Sequence, residues 1–446
     1  MLAQYLSTAL FAVSAFGAVL QERKVSFNWG SEDVRGVSLG GWLVAEPFIK
    51  PSLFKPYASQ GVVDEYTLGK VLGKEKARQV LEPHWKSWIT FADFLKIRAM
   101  GFNTVRIPVG FWAFESFGSP YAEGSKEYLD AAIDWARATG LKVLLDLHGA
   151  PGSQNGYDNS GQRLDNPGWL QGDTVGQTLQ VISEIANQYA QPKYQDVIMG
   201  IEVLNEPAGY ALDLNRIKQF ERDALNIYRG VSDTTVVLHD AFQNPSSFNG
   251  WLTPWDNNTQ NVVLDHHEYQ VFENDLVSFS RKEHRNQVCK RNYRWLGSDK
   301  WTIVGEWTAA MTDCAYWLNG MHILQHPPFF DFPPPILSAH KHSSLTKTFC
   351  TTGVGKGARY DGTFPNSKKI GDCSPYDDIS KWDQSLRDDT RRYIETQLDQ
   401  FELTNGWIFW TLKTESAPEW DLYKLAEAGL FPQPLTQRKF GDGCNS

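Results

Sequence analysis

Residues 197–210 read "VIMGIEVLNEPAGY". From Val197 to Leu204 the side chains are apolar almost throughout, and the run is short. A short continuous apolar run suits a strand covered on both faces, as in a parallel sheet. Asn205, Glu206 and Pro207 then cut it off. A buried strand that ends on a carboxylate needs a partner for that charge, so Glu206 sets both the fold question and the functional one.

Similar runs recur at Val34–Leu39, Asn103–Pro108, Lys142–His148, Thr235–Asp240, Val262–Tyr269, Trp301–Glu306 and Gly406–Leu412. With Val197–Asn205 they make eight. Amphipathic stretches lie between them, such as "KEYLDAAIDWARATG" and "LDLNRIKQFERDALNIYRG". The second carries Leu214, Ile217, Phe220, Leu225 and Ile227 at roughly helical spacing. "RDDTRRYIETQLDQFELTNG" is a third, with Gly406 placed to end it. Eight such units predict an α/β fold: a (β/α)₈ TIM barrel, one domain whose elaborated loops take up the extra length. An open doubly wound sheet would want a glycine-rich phosphate loop after its first strand, and none is present.

The chain has 446 residues, 41% of them hydrophobic, which is ample for a large core. Its net charge of -9, without blocks of like charge, argues against nucleic acid and anionic membranes as partners. The 17 Trp, 17 Tyr and 25 Phe serve a core, and also suit stacking on the apolar faces of sugar rings.

Residues 1–18 have the apolar run and following small residues of a secretory signal peptide, leaving 19–446 as the barrel domain. The expected location is secreted and extracellular, with the cell wall as the alternative that the resemblance given below implies. No later segment reaches about 18 apolar residues, so a soluble monomer is expected. Five cysteines in an oxidising compartment leave one over. Residues 321–354, rich in Pro and His and without a period, hold Cys350. Without it, Cys289, Cys314, Cys373 and Cys444 allow three pairings. Asn257-Asn258-Thr259 is a glycosylation sequon in a loop that should be exposed.

Polar residues gather at the strand candidates and their ends: Arg106, His148, Asn205-Glu206, His267 and Tyr269, Glu306, and Trp407 with Trp410. In a barrel these ends converge on one face. Two of them are glutamates, Glu206 and Glu306. Glycoside hydrolysis needs such a pair, one acid to protonate the leaving oxygen and one carboxylate to attack or to activate water. Taken singly, either glutamate could be a helix N-cap or a salt bridge to a neighbouring Arg. No metal motif is evident, since adjacent His266 and His267 point to opposite faces of a strand. No nucleophile elbow is present either. No cofactor is expected.

"RGVSLGGWLVAEPFIKPSLF", "NTVRIPVGFWAF", "DLHGAPGSQNGYDNSG", "VLNEP", "DHHEYQVF", "GEWTAAMTDC" and "GWIFWTLKTESAPEW" resemble the fungal secreted exo-β-1,3-glucanases of glycoside hydrolase family 5, from about Val34 to Cys444. The resemblance implies a retaining mechanism on β-glucan, with Glu206 as acid/base and Glu306 as nucleophile. It implies that Arg106 keeps Glu306 ionised, that Tyr269 hydrogen-bonds it, and that Asn205 binds the substrate 2-hydroxyl. His148 and His267 would line the same subsite. Glu46 and Asp158 would bind the terminal glucose, with Trp410 beneath it. Tyr157 and Phe272 match an aromatic clamp for the next glucose, although the family has Phe where Tyr157 stands. Glu206, as the acid, should have a raised pKa from burial and from the neighbouring nucleophile. The resemblance also implies Cys289–Cys444 and Cys314–Cys373 pairs, with Cys350 free. Family members pass almost directly from "LNG" to "GARYDG", so residues 321–354 are an anomalous insertion, read as a translated intron or gene-model error, with a real loop insertion as the alternative. Two other specificities suit the same barrel, β-1,6-glucanase and broad β-glucosidase. A non-catalytic glucan-binding wall protein would lack Glu206 or Glu306.

Overall fold

The structure, a computed structural model, describes residues 27–326, 350–441 and 443–444. The signal peptide expected over 1–18 lies outside them. Ten strands occur among the described residues: β1 (Val34–Ser38), β2 (Thr104–Gly110), β3 (Lys142–Gly149), β4 (Ile198–Glu202), β5 (Val236–His239), β6 (Val262–Glu268), β7 (Trp301–Trp307), β8 (Met321–His326), β9 (Cys350–Gly355) and β10 (Gly406–Phe409). Eight of them close into a parallel barrel in the order β1-β10-β7-β6-β5-β4-β3-β2. Closure is made by β1, which pairs with β10 through Val34↔Gly406 and with β2 through Ser38↔Arg106. All eight predicted runs are barrel strands, with ends shifted by at most a few residues.

The helices form where the spacing predicts them. Lys126–Thr139 ends on Gly140, whose φ of 74° supplies the left-handed residue that closes a helix. Leu214–Arg229 starts at Asp213, which accepts a hydrogen bond from the Asn215 amide. It buries Ile217, Phe220, Ala224, Leu225 and Tyr228 against the barrel. The helix Gln384–Phe401 differs from expectation. It stops at Phe401, short of Gly406. Gly406 instead opens β10 at φ 102°, where any side chain would collide with the Val34 backbone.

One apolar layer lies between the barrel and its helices. A second plugs the barrel's lower interior with Val34, Leu144, Met199, Val237, Val263, Ile303 and Ile408. Side chains repeat every second residue along a strand. Two residues above Leu144, Val237 and Val263 therefore stand Asp146, His239 and Asp265, all buried. The barrel changes from apolar to charged at this level, below its mouth.

Cys289 pairs with Cys444 and Cys314 with Cys373, the pairing the resemblance implies. The second bridge brackets the anomalous segment. The ends of that segment form an antiparallel hairpin in which β8 and β9 pair from Met321↔Gly355 to His326↔Cys350. Residues 327–349 and the side chain of Cys350 lie outside what the structure describes. Among the described residues no helix is long and apolar enough to cross a membrane.

Candidate active site

Arg106 on β2 is the hub of the charged layer and is fully buried. Its Nη1 donates to Glu306 Oε1 at 2.6 Å, and its Nη2 donates to Glu202 Oε2 and Asn205 Oδ1, each at 2.8 Å. Asp146 Oδ2 lies 3.1 Å from the same Nη2. Burial alone would lower the guanidinium pKa, but the charges of Asp146, Glu202 and Glu306 outweigh it, and Arg106 stays a cation. A planar fork with several donors suits this geometry, which one ammonium could not reproduce.

Glu306 projects from β7. Besides Arg106 it accepts a hydrogen bond from the Tyr269 hydroxyl at 2.8 Å. The preceding Gly305 is required by its neighbour: its amide donates to Asp265 Oδ1 at 2.7 Å, and a Cβ there would fall on that carboxylate. Glu206 follows β4 with φ 47°, a left-handed conformation that an ordinary residue adopts at a cost of order 1 kcal/mol or more. Its Oε1 lies 2.8 Å from His267 Nδ1, and its Oε2 accepts from Asn159 Nδ2 at 3.0 Å.

His267 touches both glutamates, since its Nδ1 is also 3.5 Å from Glu306 Oε2. The two glutamates therefore face one another across a single imidazole nitrogen.

The charge pattern departs from expectation. Burial pushes the Glu206 carboxyl up, but the His267 hydrogen bond and charge, with Asn159, outweigh it, and its pKa lies below the ordinary value. Burial raises Glu306, and the charges of His267 and Arg106 offset this only in part, so its pKa lies above the ordinary value. The raised acid expected at Glu206 is corrected. His267 itself resists burial through the charges of Glu306 and Asp265 and is held well above its usual range. The imidazolium thus carries the proton at the centre of the pair.

These groups open onto a cavity of about 700 Å³. Glu46, Tyr157, Asp158, His267, Tyr269, Phe272 and Trp410 line it with the two glutamates. Burial, with the charges of Asp158 and Glu306, raises the Glu46 pKa well above normal. Burial likewise raises that of Asp158. Arg106, His148 and Asn205 sit behind the wall, each fully buried. His148 stacks on Trp410 with centroids 5.5 Å apart, and its Nδ1 donates to Asp146 Oδ2 at 2.7 Å. Asn205 Nδ2 and His148 Nε2 have no hydrogen-bond partner among the described residues.

Sequence reasoning passed over several members. Glu202, Asp146 and Asp265 were legible as charges inside apolar strands. Asn159, Tyr210, Phe242 and Trp420 come from loops and carry no such signal. Two triads among the described residues have metal-ligand geometry, Glu206-His239-His267 and Glu202-Asp265-His267. Their carboxylates already face Arg106, His267, Asn159 or the Gly305 amide. A dication would have to displace those cations and donors.

A parallel barrel whose mouth holds two buried glutamates, one clamped by Arg and Tyr, is the site of a glycoside hydrolase. Residues 73–321 match the cellulase family, glycosyl hydrolase family 5. The chain is 43% identical over 442 residues to "Glucan 1,3-beta-glucosidase 2" of Wickerhamomyces anomalus, covering 96% of this chain and 94% of that protein. It is 44% identical to "Glucan 1,3-beta-glucosidase" of Blumeria graminis, covering 96% and 93%. The crystal structure of rutinosidase from Aspergillus niger shares the fold, with a TM-score of 0.66 at 20% identity, covering 91% of this chain and 99% of that one. The protein belongs to glycosyl hydrolase family 5.

Proposed function

We propose that the protein is a secreted, retaining exo-β-1,3-glucanase that removes glucose from the non-reducing ends of cell-wall β-glucan. The retaining chemistry is supported by membership of the family and by the pairing of Glu306, held by Arg106 and Tyr269, with Glu206, held by His267. The linkage is supported by relatives named for it that match nearly the whole chain.

In this reading Glu306 attacks the anomeric carbon, and Glu206 protonates the departing glycosidic oxygen. The proton comes through the 2.8 Å hydrogen bond from His267. Arg106 and Tyr269 orient the Glu306 carboxylate for attack. The family's role for Asn205, a bond to the sugar 2-hydroxyl that tightens at the transition state and lowers the barrier, suits its unpaired Nδ2 and would require that amide to reach through the wall behind which it sits. Once Glu306 is glycosylated its charge is gone, and Glu206 draws a proton from water for the second displacement. Glu46 and Asp158 hold hydroxyls of the terminal glucose against Trp410, while Tyr157 and Phe272 flank the next ring. Secretion is supported by the two disulfides. The enzyme acts as a monomer, without nucleic acid or membrane.

The test is an early-time proton NMR spectrum of laminarin with the purified protein. β-Glucose appearing before mutarotation, without early oligosaccharides, is the expected result. Early α-glucose overturns Glu306 as nucleophile, and early oligosaccharides overturn the exo reading.

A further inference from the structure

The loop leading into β6 carries two features that catalysis does not use. Trp255 is 95% exposed, more than any other large apolar side chain among the described residues; Tyr210 follows at 60%. Two positions on, exposed Asn257 begins the sequon Asn257-Asn258-Thr259.

The turn that holds them is well tied. The Asp256 amide donates to Thr253 O at 2.8 Å. The Asp256 carboxylate takes Arg222 at 2.6 Å and the Leu252 amide at 2.9 Å. Thr259 Oγ1 donates to Asp256 O at 2.7 Å. Asp256 thus turns inward, and the residues on either side of it, Trp255 and Asn257, project outward. Asn257 and Asn258 both adopt left-handed φ, 58° and 54°, which asparagine tolerates well. The loop precedes Val262, the first residue of β6, so it lies at the barrel end opposite the cavity.

We propose that Asn257 carries an N-linked glycan and that Trp255 is the shelf on which its first N-acetylglucosamine stacks. The proposal rests on the secretion reading. An indole left almost wholly in water forgoes the burial its area offers, and a sugar's axial C–H face is a surface it can cover. The donor is an oligosaccharide on a lipid pyrophosphate. Transfer forms the bond from Asn257 Nδ2 to C1 of the first sugar and breaks the bond from C1 to the pyrophosphate oxygen. It releases one amide proton and the lipid pyrophosphate. At this end of the barrel a glycan leaves the substrate path open.

The full chain, secreted from a eukaryotic host, would be mapped by peptide mass spectrometry. It would then be melted intact, after trimming to one N-acetylglucosamine, and after complete glycan removal. Modified Asn257 is expected. Trimming should leave Tm unchanged, while complete removal should lower it by roughly 1–2 °C, the scale of a modest contact in a chain of this size. In Trp255→Ala, complete removal should change nothing, and laminarin hydrolysis should match the parent. Unmodified Asn257 in secreted protein overturns the proposal. So does an equal loss of Tm with and without Trp255. If Trp255→Ala instead weakens binding to insoluble β-glucan in glycan-free protein, Trp255 is a substrate platform and the shelf is wrong. Protein retained in the cell speaks against secretion alone; routing it with a foreign leader then tests Asn257 separately.

Discussion

The hydroxyls of Tyr157 and Tyr210 meet at 2.5 Å at the mouth of the catalytic cavity. Tyr210 also lies against Phe242, with centroids 5.7 Å apart. Both tyrosines are well exposed, and the bond ties the two loops that carry them into one wall. Tyr157 stands where the resembling family has Phe, which cannot make this bond. We expect Tyr210→Phe to raise KM for laminaribiose about 2–10-fold, the value of one neutral hydrogen bond. The kcat on an aryl β-glucoside, which lacks the second glucose, should not change. Steady-state kinetics on the two substrates check this; an equal effect on both would sink it.

The His267 cation lowers the Glu306 pKa against the rise caused by burial. Removing it in His267→Asn should therefore raise the Glu306 pKa further. Activity requires ionised Glu306, so the acid limb of kcat/KM should move to higher pH. A pH–rate profile of the variant decides it, and an acid limb that stays or moves down contradicts the charge arrangement.

Glu306→Ala should lose at least about 10³-fold in kcat, since it removes the carboxylate that Arg106 and Tyr269 hold for the attack. Azide should restore turnover and yield the α-glucosyl azide, made by direct displacement from the vacated side. In Glu206→Ala azide should give the β-glucosyl product, because Glu306 still acts. Product stereochemistry by NMR separates the two roles.

Gly305→Ala should abolish activity and lower stability by several kcal/mol, on the order expected for a forced core overlap. The added methyl falls on the Asp265 carboxylate that the Gly305 amide binds. Thermal melting and laminarin turnover read both effects.

Glu221 is buried behind Trp251, whose indole donates to it at 3.3 Å. Burial raises its pKa from 4.5 to about 8. The folded state therefore binds a proton across that interval that the unfolded state releases. Stability from this group falls as pH rises from about 4.5 to about 8, by on the order of 3–5 kcal/mol. Glu221→Gln keeps an acceptor for Trp251 and cannot ionise. Its Tm should exceed the parent's near the alkaline end of this window and converge with it at the acid end.

The barrel was legible because its signals are local. Eight apolar runs alternate with helical spacing, and each obeys a period set by the backbone. The polar strand ends were legible for the same reason, as was the pair Glu206 and Glu306. Gly406 misled because a glycine near a helix end reads as a cap. Its reason is instead the Val34 backbone pressed against it in β1.

What the sequence determined by itself was which residues could meet. A closed parallel barrel brings all its strand ends to one mouth, so order along the chain suffices. What only the tertiary structure decided was the charge each residue carries there. Glu206 lies low because His267, 61 residues away, holds a proton 2.8 Å from it. Glu306 lies high because burial outweighs Arg106, 200 residues away. Periodicity is written in neighbours along the chain. Desolvation and Coulomb forces depend on distances through space, and those exist only once the barrel has closed.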